Sequence, residues 1–175
     1  MPEPETAGAD AAHRTVPSPE PLPDAAPAAP RTDGAAGGID PRGPRFGAMV
    51  SALLLAATVV AGPGPSGTTL LAVAALLFLV GTARGPHRSV QGWVFRRWVR
   101  PLLAPPLGLE DPAPPRFAQG VGLAVTATGL VVSLAAPGAV LVAAGIALVA
   151  AFLNAAFGFC LGCEMYLLLR RLRRA

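Results

Sequence analysis

The stretch FGAMVSALLLAATVVAGPGPSGTTLLAVAALLFLVGTA, from Phe46 to Ala83, contains no charged side chain. A soluble helix needs a polar face toward water, and this stretch offers only Ser and Thr for one. Its middle, Gly62-Pro63-Gly64-Pro65-Ser66-Gly67, breaks a helix, because Pro lacks the amide donor and Gly frees the backbone. Two apolar segments around such a breaker read as a membrane-embedded helical hairpin. Each is slightly shorter than the roughly 20 residues that span a bilayer, and arginines beside the ends extend the reach by snorkelling. A second uncharged stretch runs from Phe117 to Cys163 and is divided by Pro137-Gly138.

Composition agrees. Hydrophobic residues make up 53% of the chain and charged residues 14%, against about 25% charged in a soluble domain. The expectation is an all-α, polytopic membrane protein with four transmembrane helices, arranged as two tandem helical hairpins plus interfacial helices. The spans fall at about 46–62, 68–83, 117–136 and 139–157. A cytoplasmic loop covers 84–116 and a juxtamembrane helix about 158–171, so that 41–175 forms one membrane domain. Residues 1–40 hold seven acids and many Pro and Ala. They form no apolar core and no signal peptide, and are expected to be a disordered acidic tail.

Every Lys or Arg position is Arg, 14 in all. Four lie in the first 45 residues, six between 84 and 116, and four after Leu169. They flank apolar stretches, so they read as topology signals and as contacts to lipid head groups, with no nucleic acid implied. The two turns within the hairpins carry no charge, which places the N- and C-termini in the cytoplasm by the positive-inside rule. Within the loop, Ser89 to Leu103 mixes Trp93, Phe95 and Trp98 with Arg96, Arg97 and Arg100. That pattern suits an interfacial helix more than a plain basic loop.

A tandem repeat orders these segments. Asp40-Pro41-Arg42-Gly43-Pro44-Arg45-Phe46 matches Asp111-Pro112-Ala113-Pro114-Pro115-Arg116-Phe117 at five of seven positions. Asp40 and Asp111 are placed to accept free amides at a helix start, and Arg45 and Arg116 to lie at phosphate level. A gap of two residues in the turn then sets Trp93 opposite Tyr166 and His87 opposite Cys160. The long apolar run from Ala139 to Leu169 is one helix or two, and the repeat favours two.

Reactive side chains gather at one place, Cys160-Leu161-Gly162-Cys163-Glu164. Thiols three residues apart share a helix face, and free amides at a helix start favour thiolate. Cys160 and Cys163 are therefore a candidate redox or sulfur-handling pair, with Glu164 as a proton relay. Three rivals stay open. The pair is half of a zinc site, with His87 as the third ligand; it is a site of acylation; or it is merely small and apolar. No cofactor is implied. Asn154, in an apolar helix, reads as glue between helices, and the Ala and Gly content suits homo-oligomerisation.

The two Pro-Arg-Phe elements, the stretch Pro114 to Gly120, and the ending Phe152-Leu153-Asn154-Ala155 through Gly158-Phe159-Cys160-Leu161-Gly162-Cys163-Glu164 together resemble an uncharacterised bacterial membrane family, domain of unknown function 4395. The resemblance covers roughly Ile39 to Arg174. It implies a short multi-pass protein of the bacterial plasma membrane, encoded near thioredoxin-like or sulfurtransferase proteins. It implies no catalytic assignment. Three functions follow as expectations: a membrane thiol component acting with such a cytoplasmic partner, a small-solute transporter or channel subunit, and a non-catalytic scaffold. Whether the chain is an enzyme stays open.

Overall fold

The computed structural model describes residues 38–174. Most of the expected acidic tail, residues 1–37, lies outside them. Gly38 to Asp40 do not behave as a tail: Ile39 and Asp40 are buried, and Ile39 pairs with Glu110 in an antiparallel bridge, each amide donating to the other's carbonyl at 2.9 Å.

Six helices follow: α1 (Arg42–Ala61), α2 (Pro65–Arg84), α3 (Val90–Val94), α4 (Ala113–Ser133), α5 (Ala139–Phe157) and α6 (Leu161–Leu172). A 3₁₀ turn, Pro86–Arg88, precedes α3; a π turn, Phe95–Val99, and a 3₁₀ turn, Arg100–Leu102, follow it. The helix breaks sit where backbone chemistry requires them. Gly62 ends α1 at φ 76°, and Pro65 opens α2 at a position whose amide is free anyway. Gly158 ends α5 at φ 70°, in the left-handed region that favours Gly, with its amide donating to Asn154 O at 3.0 Å. The apolar run from Ala139 to Leu169 is therefore two helices.

Three of these helices, α1, α2 and α5, are long and apolar enough to cross a membrane. The expectation of four transmembrane helices is thus corrected to three, within an all-helical fold. The helix that drops out is α4. Its expected span, 117–136, was an apolar run, but the helix does not follow that run. Leu134, Ala135 and Ala136 belong to the turn, while the helix takes in Ala113 to Arg116 instead. The helix thereby takes Arg116 in exchange for Leu134 to Ala136, and it already carries Gln119 and Thr126.

At most a third of each apolar helix faces inward. Leu53, Val60, Leu76, Val142 and Ile146 point outward and are exposed. In water such faces would be an aggregation hazard; against lipid they are in their own solvent. The chain is a multi-pass membrane protein. The core is made of Leu55, Leu71, Ala74, Phe78, Val140, Ala143, Ala144 and Ala147. Small residues let backbones approach closely where hydrophobic driving force between helices is absent. The broadest packing joins α1 to α5 and α2 to α4.

That pairing follows from an internal two-fold relation. α1 begins at Arg42 and α4 at Ala113, 71 residues later. Asp40 Oδ1 accepts from Arg42 N at 3.0 Å, and Asp111 Oδ1 from Ala113 N at 2.8 Å. The bridge partners Ile39 and Glu110 are also 71 apart, so equivalent residues of the two halves face each other across it. Arg116 donates to Thr82 O at 2.7 Å and Ala83 O at 3.1 Å, the last carbonyls of α2. Its counterpart Arg45 lies against Gly158 at the end of α5. These arginines, expected at phosphate level, complement the negative end of the other half's helix.

Candidate functional site: the cysteine pair at the start of α6

Cys160 is the residue before α6, in an extended conformation at φ −91° and ψ 99°. Its Sγ accepts from Cys163 N at 3.3 Å. A sulfur thus fills the capping position that Ser, Thr, Asp or Asn usually takes, facing amides that have no partner within the helix. The capping turn brings the two cysteines together as a disulfide, with sulfurs 2.50 Å and Cα atoms 5.2 Å apart. Both are half-buried.

Four features surround this cap. The Gly158 turn reverses the chain, so that only Phe159 separates it from Cys160. Gly162 lets α6 lie directly on α4: a Cβ there would meet Ala118 Cα and Cβ at 2.6 Å. One turn on, the Tyr166 ring rests on Phe117, centroids 5.7 Å apart. Arg45 brings its guanidinium to the Gly158 turn, where an added Cβ would lie 3.5 Å from its Cζ. The cap therefore sits in the positive potential of the amide end of α6, with an arginine from α1 at the Gly158 turn two residues before it.

The first half contains the same cap with different chemistry. Ser89 precedes α3, and its Oγ accepts from Gly92 N at 3.0 Å. Ser89 and Cys160 are 71 apart, as are Gly92 and Cys163. Phe95, which stacks on Phe46 with centroids 5.8 Å apart, answers to Tyr166 on Phe117. The expected alignment, Trp93 with Tyr166 and His87 with Cys160, is displaced by two residues. The turn between α4 and α5 is two residues longer than that between α1 and α2, but the link into α6 is two shorter than that into α3. The differences cancel.

In this register His87 no longer stands opposite Cys160. It sits exposed in the link to α3, held by Arg96, whose guanidinium donates to His87 O. Among the described residues no three His, Cys, Asp or Glu side chains are grouped to hold a metal ion. Glu164 follows Cys163 directly and is exposed. Asn154 contributes its carbonyl to the Gly158 turn.

Sequence reasoning found the cysteines but missed Arg45 and Gly162 as their supports. The 71-residue offset was the available signal, since it sets Gly162 opposite Gln91 and the two arginines opposite each other.

No match was found among curated proteins or among solved structures. The family model described as "Domain of unknown function (DUF4395)" matches residues 39–171, from the Ile39 bridge to the last turn of α6. The chain belongs to that family.

Proposed function

We propose that the chain is a membrane thiol component, exchanging electrons or sulfane sulfur with a cytoplasmic thioredoxin-like or sulfurtransferase protein through Cys160 and Cys163. The observation that carries this reading is the sulfur cap, in which Cys160 Sγ accepts the Cys163 amide. In the reduced form that amide and the open end of α6 favour thiolate at Cys160 over thiol. Cys160 is then the attacking sulfur. It displaces one sulfur of a partner disulfide, forming a mixed disulfide and releasing the partner's thiolate. Cys163 attacks Cys160 in turn, closing the intramolecular disulfide and releasing the partner's second thiol. The partner gains two electrons and the pair loses two; a dithiol donor restores it by the reverse steps. Exposed Glu164 takes up the Cys163 proton as that sulfur attacks.

The basic end of the helices faces the cytoplasm in this proposal, in a bacterial plasma membrane. No charge lies in the Gly62–Gly64 turn between the spans α1 and α2, whereas Arg45 stands at the other end, beside the Gly158 turn that closes the span α5. The positive-inside rule supports that orientation.

Trapping tests the scheme. Cys163→Ser leaves Cys160 able to attack and nothing to resolve the product, so a mixed disulfide with a cytoplasmic protein accumulates in the native host. Cys160→Ser accumulates much less. If neither variant captures a partner, and both wild-type thiols stay unreactive toward a maleimide in reduced intact membranes, the thiol reading is wrong.

A further inference from the structure

Below the Ile39 bridge, between the starts of α1 and α4 and the link into α3, lies a cavity of about 50 Å³. Four buried side-chain atoms among the described residues have no hydrogen-bond partner: Asp40 Oδ2, both amide atoms of Gln91, and Gln119 Oε1. All three residues line this one cavity. Gln91 is 4% exposed and Asp40 9%. A buried polar atom without a partner costs about 1–3 kcal/mol, so four of them on three residues around one space are the pattern of a site and not of a packed core.

The second half packs differently at the equivalent place. The residue equivalent to Gln91 is Gly162, which closes α6 onto Ala118. In the first half Gln91 stands there, its Cβ beside Gly47 of α1, and lines the cavity. The cavity is thus a departure from the repeat.

The lining states what fits. Its lining residues carry three unpartnered oxygen acceptors and one amide donor. Around them stand Arg96, Arg100 and His87, against the single carboxylate of Asp40. A ligand must bring donors inward and negative charge outward. We propose that this cavity binds a compact anion carrying hydroxyl or ammonium donors, the chemistry of a phosphoglycerol or phosphoethanolamine group. The phosphate meets Arg96 and Arg100, and the hydroxyl or ammonium meets Asp40, Gln91 and Gln119. A volume of about 50 Å³ holds roughly three to five waters, room for the hydroxyl or ammonium end with the phosphate at the rim, and not for an acyl chain. Such a group is presented by a lipid head group or by the free glycerophosphate, and the exposed Trp93 and Trp98 beside the cavity's Arg96 suit the lipid interface.

The full chain is reconstituted in phosphatidylcholine nanodiscs, in discs also containing phosphatidylglycerol, and in phosphatidylcholine discs with added glycerophosphate, and the unfolding midpoint is read. Phosphatidylglycerol raises the midpoint by several degrees if a lipid supplies the group. A rise with glycerophosphate alone assigns the same site to a soluble ligand. Gln91→Met removes the rise, and Arg100→Gln, on the exposed rim, weakens it even if the buried variant folds poorly. Arg97→Gln removes the same charge outside the lining and keeps the rise. If neither addition raises the midpoint, or the rise survives Gln91→Met and Arg100→Gln unchanged, the cavity holds water only and the proposal falls.

Discussion

Replacing Gly162 by Ala gives opposite results depending on why a glycine stands between the two cysteines. If it supplies only backbone freedom, Ala stabilises the helix, by at most about 1 kcal/mol and less in a first turn. If it permits close approach, Ala overpacks. The structure decides for the second. The new Cβ would stand 2.6 Å from two carbons of Ala118, one of them the Cα. Carbon contacts settle at about 3.5–4.0 Å, so α6 must retreat from α4 by about 1 Å. No flexible side chain can give way instead. The retreat also loosens Tyr166 on Phe117. Overpacking of this kind costs about 1–3 kcal/mol. Net of the propensity gain, docking of α6 weakens by about 1–2 kcal/mol.

Hydrogen–deuterium exchange of the α6 amides in nanodiscs reads that loss directly. Exchange should quicken about five- to thirty-fold. Gly145→Ala in α5 is the control, since nothing lies within 4 Å of its added Cβ; it leaves α6 protection unchanged. Equal or slower exchange of α6 in the Gly162→Ala protein would refute the close-contact account, and with it the idea that α4 holds the cysteine cap in place.

Two further outcomes concern the helix ends. Arg116→Gln removes two hydrogen bonds to the last carbonyls of α2 and lowers the unfolding midpoint by a few degrees, for a loss of about 1 kcal/mol at this exposed site; Lys, a point charge without the fork, restores only part of it. Gly158→Ala forces a Cβ into left-handed backbone at φ 70°, costing about 1–2 kcal/mol, while its nearest neighbour at 3.5 Å is an ordinary contact; the drop should therefore persist when Arg45 is also changed to Ala.

The parts of this fold that sequence conveys are those fixed by single residues. Gly62, Pro65 and Gly158 punctuate the helices because few other residues tolerate those backbone positions. Asp40 and Asp111 announce helix starts by local hydrogen bonds that need no partner from elsewhere. The extent of α4 is different. An apolar run shows where lipid is tolerated, whereas the helix is bounded by the Asp111 cap and the Leu134 turn, and the two intervals are offset. The register of the repeat was hidden because Ser89 and Cys160 look unlike each other, though the same backbone cap holds both. Arg45 and Arg116 gave a charge but not a direction, since a guanidinium can as well meet a carbonyl as a phosphate. Gln91 gave no signal at all: an amide in a basic loop is unremarkable until three helices close around it.

The same comparison explains why only one half carries a thiol pair. In the first half the link from Gly85 to Ser89 is longer, and the Pro86–Arg88 turn folds back over α3. A Cβ on Gly92 would collide with Pro86 O and lie 3.0 Å from Ser89 Oγ and 3.3 Å from His87 O. The position that answers to Cys163 is therefore closed to any side chain. In the second half, Phe159 alone joins the Gly158 turn to the cap, and nothing folds over Cys163 in that way. The chemistry depends on link length as much as on the cysteines. In a chain with Cys160 and Cys163 both changed to Ser, Ser89→Cys with Gly92→Cys should form no intramolecular disulfide on mild oxidation, as counted by maleimide labelling of free thiols. Deleting His87 and Arg88 as well shortens the link to the length seen before α6 and should let the new pair close. A disulfide in the undeleted variant would mean that Pro86 can move aside freely, and the asymmetry between the halves would then need a cause other than geometry.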